Sequence, residues 1–126
     1  MDCLFCKIAT GEVASNVTFE DKDIKVFEDI HPKAPVHLLV IPKIHIQSIA
    51  HLEENHTDII AKLIYAAKHS AKELNLPGYR LVFNVGREGG QVIDHLHLHL
   101  LGGWGMSERE DEFKEHRIPE TKNKTQ

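Results

Sequence analysis

The apolar positions of this chain follow three different rhythms. Two short runs, "VTFE" (17–20) and "IKVFEDI" (24–30), are rich in β-branched and aromatic residues and flank the turn-prone "DKD", which predicts a hairpin. "PVHLLVIP" (35–42) is apolar on both faces and fenced by Pro35 and Pro42, as expected for a buried central strand. From about 57 to 74 the spacing becomes helical. Ile59, Ile60, Leu63, Ile64, Ala67, Ala71 and Leu74 make one stripe, with Lys62, Lys68 and Lys72 outside it. "LPG" at 76–78 stops this helix. "YRLVFNVG" (79–86) reads as a fourth strand, "REGGQ" (87–91) as a glycine-rich loop and "HLHLHLL" (95–101) as the last strand. Residues 4–10 predict a short helix ending at Gly11. Five strands, mostly hairpin-connected, with one long helix make an α+β domain on an antiparallel sheet.

The last strand carries unusual chemistry. Side chains alternate along a strand, so His95, His97 and His99 share one face while Leu96, Leu98 and Leu100 cover the other. One metal cannot hold all three. Four residues of strand separate His95 from His99 by about 13 Å, whereas ligands sit about 2 Å from an ion. The three must divide their labour. The glycine-rich loop runs straight into this strand and brings backbone N–H groups near the imidazoles, a combination that suits a phosphate. An imidazole nucleophile needs one nitrogen unprotonated and aimed, which a carbonyl bonded to Nδ1–H provides. His97, flanked by the other two, is best placed for that work.

Length and composition narrow the setting. A chain of 126 residues is one domain, predicted over 1–106, with a charged tail at 107–126 in which only Phe113 and Ile118 are large and apolar. The net charge of −4 argues against a general nucleic-acid binder. No apolar run approaches the roughly 20 residues that span a bilayer. The N-terminus has no basic region leading into an apolar stretch, so a cytoplasmic protein is expected. There Cys3 and Cys6 are thiols or metal ligands rather than a disulfide. His31, His51, His56, His69 and His116 read as surface residues.

"HLHLHLL" fits the His-φ-His-φ-His-φ-φ signature of the histidine triad (HIT) family of nucleotide hydrolases and transferases. "CLFCKIATGE", "FEDIHPKAPVHLLVIPKIH", "NVG" and "GGQ" follow in that family's order, so the chain resembles it over roughly residues 3–103. It looks closest to the branch of histidine triad nucleotide-binding proteins, which are purine nucleoside phosphoramidases. The resemblance implies a sheet continued across a homodimer. It also implies that His97 attacks the α-phosphorus of a purine nucleotide to form a nucleotidyl-histidine, with no cofactor for that step. The carbonyl of His95 would orient His97, His99 would contact the phosphate, and His37 would complete the cluster. From its own position, His37 reads equally as a hydrogen-bonded core residue. By resemblance Asp29 binds the ribose; read locally, it is a turn residue. Phe5, Ile8, Phe27 and Ile30 would form the base pocket, though each also reads as core, and Asn84, Gly90 and Gln91 the phosphate side. Val92 stands where the family often has Ser or Thr and can offer only its backbone N–H. Asp94 stands where an aromatic or apolar residue is common.

Some members bind a structural zinc through a CxxC, the histidine of a "PKxH" segment and the first triad histidine. The counterparts here are Cys3, Cys6, His45 and His95, and two sulfurs with two imidazoles suit tetrahedral zinc. The leading expectation is a hydrolase of purine nucleoside 5′-phosphoramidates such as aminoacyl-AMP. A dinucleoside polyphosphate hydrolase, a regulatory nucleotide-binding protein and a zinc-dependent structural module are the alternatives.

Overall fold

The computed structural model describes residues 3–105; the tail, with His116, lies outside the described residues. The order is α1 (Leu4–Thr10), β1 (Val17–Glu20), β2 (Ile24–Glu28), β3 (Val36–Pro42), two 3-10 turns (Ile49–His51 and Glu54–His56), α2 (Thr57–Glu73), β4 (Tyr79–Val82) and β5 (Leu98–Gly102). The strands form one antiparallel sheet in the order β1-β2-β3-β5-β4. The α+β architecture predicted from the sequence is the one observed.

Each face of the sheet has its own core. Ile24, Val26, Leu38, Val40, Leu96, Leu98 and Leu100 pack with Leu63, Ala67 and Ala71 of α2. On the opposite face Phe27, Leu39 and Ile41 pack with Cys3, Phe5, Ile8 and Ala9 of the N-terminal segment. Period-two alternation on β2 and β3 divides the residues this way, which is why "PVHLLVIP" is apolar throughout.

Several boundaries differ from the expected ones, β2 among them, which ends at Glu28 and not at Ile30. The last strand begins at Leu98, not His95. In register, Leu96 would lie opposite Pro42, which has no N–H to donate, and the Pro42 carbonyl is taken up by His95 Nε2 at 2.9 Å. The ladder cannot extend further. β4 correspondingly stops at Val82, where its partner strand ends. α2 ends before the "LPG" segment, because Asn75 adopts the left-handed conformation (φ 55°) and Leu76 N–H bonds back to Ala71 O at 3.0 Å.

The buried face of α2 is Leu63, Ala66, Ala67, Ser70 and Ala71, while Ile64 and Leu74 are exposed. The buried stripe is rotated from the expected one, with Ala66 and Ser70 buried in place of Ile64 and Leu74. Of the histidines expected at the surface, His56 is instead half-buried, its Nδ1 accepting from Glu53 N–H in the turn that starts α2.

α1 is held at both ends. The Cys3 thiolate or thiol sulfur accepts from Cys6 N–H at 3.2 Å, and Gly11 (φ 88°) closes the C-terminus. Lys25, buried in β2, donates its Nζ to the Ile8 carbonyl at 2.7 Å. A lysine on the inward face of a strand buried on both sides was the sequence's signal for this anchor.

Candidate active site and metal centre

The α1 face of the sheet brings together the histidines of β3 and of the segment leading into β5. His95, His97 and His99 share that face as predicted, although the first two precede the ladder. Phe5 meets the His97 ring edge-on at 5.1 Å and the Phe27 ring at 5.5 Å, so an aromatic wall abuts the central histidine. Ile8 is buried in the same cluster. Ile30 is not core: it is 81% exposed, on the turn after β2.

His97 is aimed by its own neighbour. Its Nδ1–H donates to the His95 carbonyl at 2.7 Å, which puts the lone pair on Nε2. Nε2 makes no hydrogen bond among the described residues. The sole enclosed and unpartnered side-chain polar atom among them is Ser15 Oγ, so Nε2 opens onto solvent. Burial pushes the His97 pKa below the usual histidine range, partly opposed by the bond to His95. The ring is therefore neutral, with a free and directed lone pair.

The tautomers of the other two site histidines are also fixed. Lys33 N–H donates to His37 Nδ1 at 3.0 Å, so the His37 proton is on Nε2. That Nε2–H points at His99 Nδ1, 2.9 Å away, and at Asp29 Oδ2, 3.4 Å away. His99 then carries its proton on Nε2, 3.4 Å from the Asn84 amide, whose oxygen is the group suited to accept it. Burial lowers the His37 pKa, and burial with the neighbouring His97 and His37 lowers that of His99 to about 4. The contact to Asp29 therefore joins a carboxylate to a neutral imidazole. Asp29 is the turn residue its local sequence allowed, with a second oxygen turned to the histidines. Its Oδ1 accepts from His31 N–H at 2.8 Å, closing a turn, and Oδ2 faces the cluster.

The glycine-rich loop is wired differently from the expectation. The N–H groups of Gly89, Gly90 and Gln91 donate to carbonyls within the loop. Gln91 is buried: its Oε1 accepts from Gly86 N–H, and its Nε2 donates to the carbonyls of Gln47 and Ile93. Its side chain thus holds the loop and is not free for a phosphate. Gly90 sits in a left-handed conformation (φ 93°) against the Asn84 amide, where a side chain would be strained. The Val92 N–H is among those without a partner in the described residues, and its side chain is 75% exposed.

A second cluster lies beyond His95. Cys3 Sγ, Cys6 Sγ, His45 Nδ1 and His95 Nδ1 converge, although residues 3 and 95 stand at opposite ends of the domain. The four sulfur–nitrogen separations are 3.3–3.5 Å and the nitrogen–nitrogen separation is 3.3 Å. A tetrahedral zinc, about 2.3 Å from sulfur and about 2.0–2.1 Å from nitrogen, sets edges of roughly 3.5 and 3.3–3.4 Å. The cluster has the shape of a closed four-ligand site. His95 Nε2–H on the Pro42 carbonyl leaves Nδ1 as its ligand atom, the outer contact that metal-binding histidines make. With no cation, burial and Cys3 raise the Cys6 thiol to about 11, and burial lowers His95 to about 4. A cation is what would make this set favourable as thiolates.

The fold and the two clusters define a small α+β domain with a triple-histidine strand. The family model described as scavenger mRNA decapping enzyme C-terminal binding matches residues 2–110. The chain is 43% identical over 107 residues to "Adenylylsulfatase HINT1" of Arabidopsis thaliana, covering 82% of this chain and 73% of that protein. It is 44% identical over 107 residues to a "14 kDa zinc-binding protein" of Zea mays, covering 82% and 84%. The crystal structure of a HIT family hydrolase from Legionella pneumophila superimposes with a TM-score of 0.81 at 51% identity, covering 83% of this chain and 96% of that one. The chain belongs to the histidine triad family.

Proposed function

We propose that the protein hydrolyses purine nucleoside 5′-phosphoramidates through a nucleotidyl-histidine on His97. The observation that carries this is the 2.7 Å bond from His97 Nδ1 to the His95 carbonyl, which leaves a neutral Nε2 lone pair free at solvent. A protein that only bound nucleotides would not need it. His97 Nε2 attacks the α-phosphorus. The P–N bond breaks as its nitrogen takes a proton and departs as the amine. Water then attacks phosphorus, the P–Nε2 bond breaks, and the monophosphate leaves. The proton that water gives up balances the one carried off by the amine. His99, held as a donor by the Lys33–His37 chain, and Val92 N–H stabilise charge on the phosphoryl oxygens. Phe5, Ile8, Phe27 and Ile30 receive the base, and Asn84 and Gly90 shape the phosphate side. The experiment that tests this is trapping radiolabelled AMP on the protein and mapping the modified residue; label on any residue but His97 rejects the mechanism.

Asp29 is the ribose acceptor in this reading, since a carboxylate with spare lone pairs accepts from both ribose hydroxyls. Asp29→Asn should weaken AMP by about 1–3 kcal/mol and leave its 2′,3′-dideoxy analogue nearly unchanged. Calorimetric titration of the two ligands checks this. Equal weakening of both removes Asp29 from the ribose site.

Zinc in the Cys3, Cys6, His45, His95 tetrad is structural, with four protein ligands and no open position, and the chemical step needs no cofactor. The domain is proposed to span 1–106 and to act as a homodimer. β4 is an edge strand with unpaired backbone on one side, and it exposes Tyr79 and Leu81. A two-fold partner pairing there would cover both and continue the sheet. Light scattering at micromolar concentration should give twice the 14.3 kDa chain mass. A stable monomer refutes it. No helix among the described residues is long and apolar enough to cross a membrane.

A further inference from the structure

Arg87 and Asp94 face each other across the glycine-rich loop. Arg87 Nη1 donates to Asp94 Oδ1 at 2.8 Å and Nη2 to Oδ2 at 3.0 Å, while Nη1 also reaches the Gln91 carbonyl at 2.7 Å. The two side chains are 63% and 53% exposed, and ion pairs in water stabilise a fold little. The loop has other restraints. Three internal backbone bonds and the buried Gln91 already fix it. A planar guanidinium is thus held at the surface by one carboxylate and one carbonyl, in a chain of net charge −4.

Its position gives it a use. Gly90 of this loop lies against the Asn84 amide, which is 3.4 Å from His99 Nε2, and Asp94 directly precedes His95. The unpartnered Val92 N–H lies between Gln91 and Asp94. The loop that carries Arg87 thus borders the histidine cluster through Gly90 and Asn84, and leads into it through Asp94.

We infer that Arg87 is a specificity-determining residue that recognises an anionic leaving group, with Asp94 as its resting counter-ion. The inference rests on the reading of His97 as nucleophile toward an α-phosphorus. The guanidinium fork matches two oxygens of a phosphate, sulfate or carboxylate, and a leaving group carrying such oxygens takes the place of the Asp94 carboxylate. A neutral amine leaving group makes no such demand.

The test compares wild type with Arg87→Gln, Arg87→Lys and Asp94→Asn. One substrate is an adenosine 5′-phosphoramidate with a neutral amine leaving group; the other is adenylyl sulfate or a diadenosine polyphosphate. The ratio of kcat/KM for acidic over neutral substrate should fall at least about tenfold in Arg87→Gln and less in Arg87→Lys, and should rise in Asp94→Asn. The same order should appear, without turnover, in the ratio of Kd for α,β-methylene-ADP to Kd for AMP, which should rise in Arg87→Gln. If Arg87→Gln changes both substrates and both ligands alike, the pair only holds the loop and the inference is overturned. If wild type turns over neither substrate, the proposed reaction fails, and the Kd ratios alone then decide the role of Arg87.

Discussion

Replacing His97 with Asn should abolish turnover, by a factor on the order of 10³ or more, while AMP affinity stays within about tenfold. The two expectations come from different parts of the structure. Covalent catalysis needs the one lone pair that His97 presents on Nε2, and no neighbour can supply it. His95 is committed through Nδ1 to the cysteine cluster and through Nε2 to Pro42, and His99 Nδ1 is occupied by His37. Affinity, in contrast, would in the proposed reading be spread over the aromatic wall, Asp29 and the loop. Asn keeps a donor for the His95 carbonyl, so the segment into β5 should hold its course, and an unchanged melting temperature would verify that. Steady-state turnover of a fluorogenic adenosine phosphoramidate, beside titration with AMP, measures both quantities. A mutant keeping more than a few per cent of the wild-type rate would show that another group attacks phosphorus. A loss of binding as large as the loss of rate would mean that the ring serves mainly to shape the pocket.

Much of this arrangement was legible because it depends on local periodicity. The alternation of "HLHLHLL" sorts three imidazoles from three leucines even though the ladder starts only at Leu98: Leu96, Leu98 and Leu100 lie in the α2-side core and the histidines on the other face. The ladder's actual start depends on Pro42, 54 positions from Leu96, and only the pairing of β3 with β5 brings the two together. The same is true of the Lys33–His37–His99 chain. Each histidine was legible as a candidate, but their tautomers follow from contacts between β3 and β5. The glycine-rich loop misled in a specific way. "GGQ" reads as free N–H groups, yet a tight loop takes up its own donors, and Gln91 has the geometry to bind backbone on three sides. Ile64 is exposed because the buried stripe of α2 runs through Ala66, Ala67 and Ser70, small residues that an apolar 3.6-residue stripe does not single out. Arg87 and Asp94 were both visible, seven residues apart. Pairing them required the loop's fold.

Metal removal should couple the two clusters, because His95 belongs to both. Its ring completes the Cys3, Cys6, His45 set, and its carbonyl aims His97. Protein purified without a histidine tag or added metal should contain close to one zinc per chain by elemental analysis. Cys6→Ser should lose it, and so should His45→Asn, which alters an exposed ligand and leaves the buried core alone. Ligands gathered from residues 3, 6, 45 and 95 close long loops of chain, so zinc binding stabilises the folded state by mass action. A loss of about 3 kcal/mol corresponds to a fall in Tm on the order of 10 °C. The N-terminal segment carries Phe5 and Ile8, so its release should also loosen the base pocket and raise KM. Cobalt, which takes the same tetrahedral set, should restore both Tm and rate, because the metal holds the scaffold and takes no part at phosphorus. A rate that instead tracked the identity of the restored ion, at equal Tm, would place the metal in the chemical step. A metal-free preparation with intact thiols and undiminished Tm would reduce Cys3 and Cys6 to packing, and His95 would then orient His97 through the Pro42 bond alone.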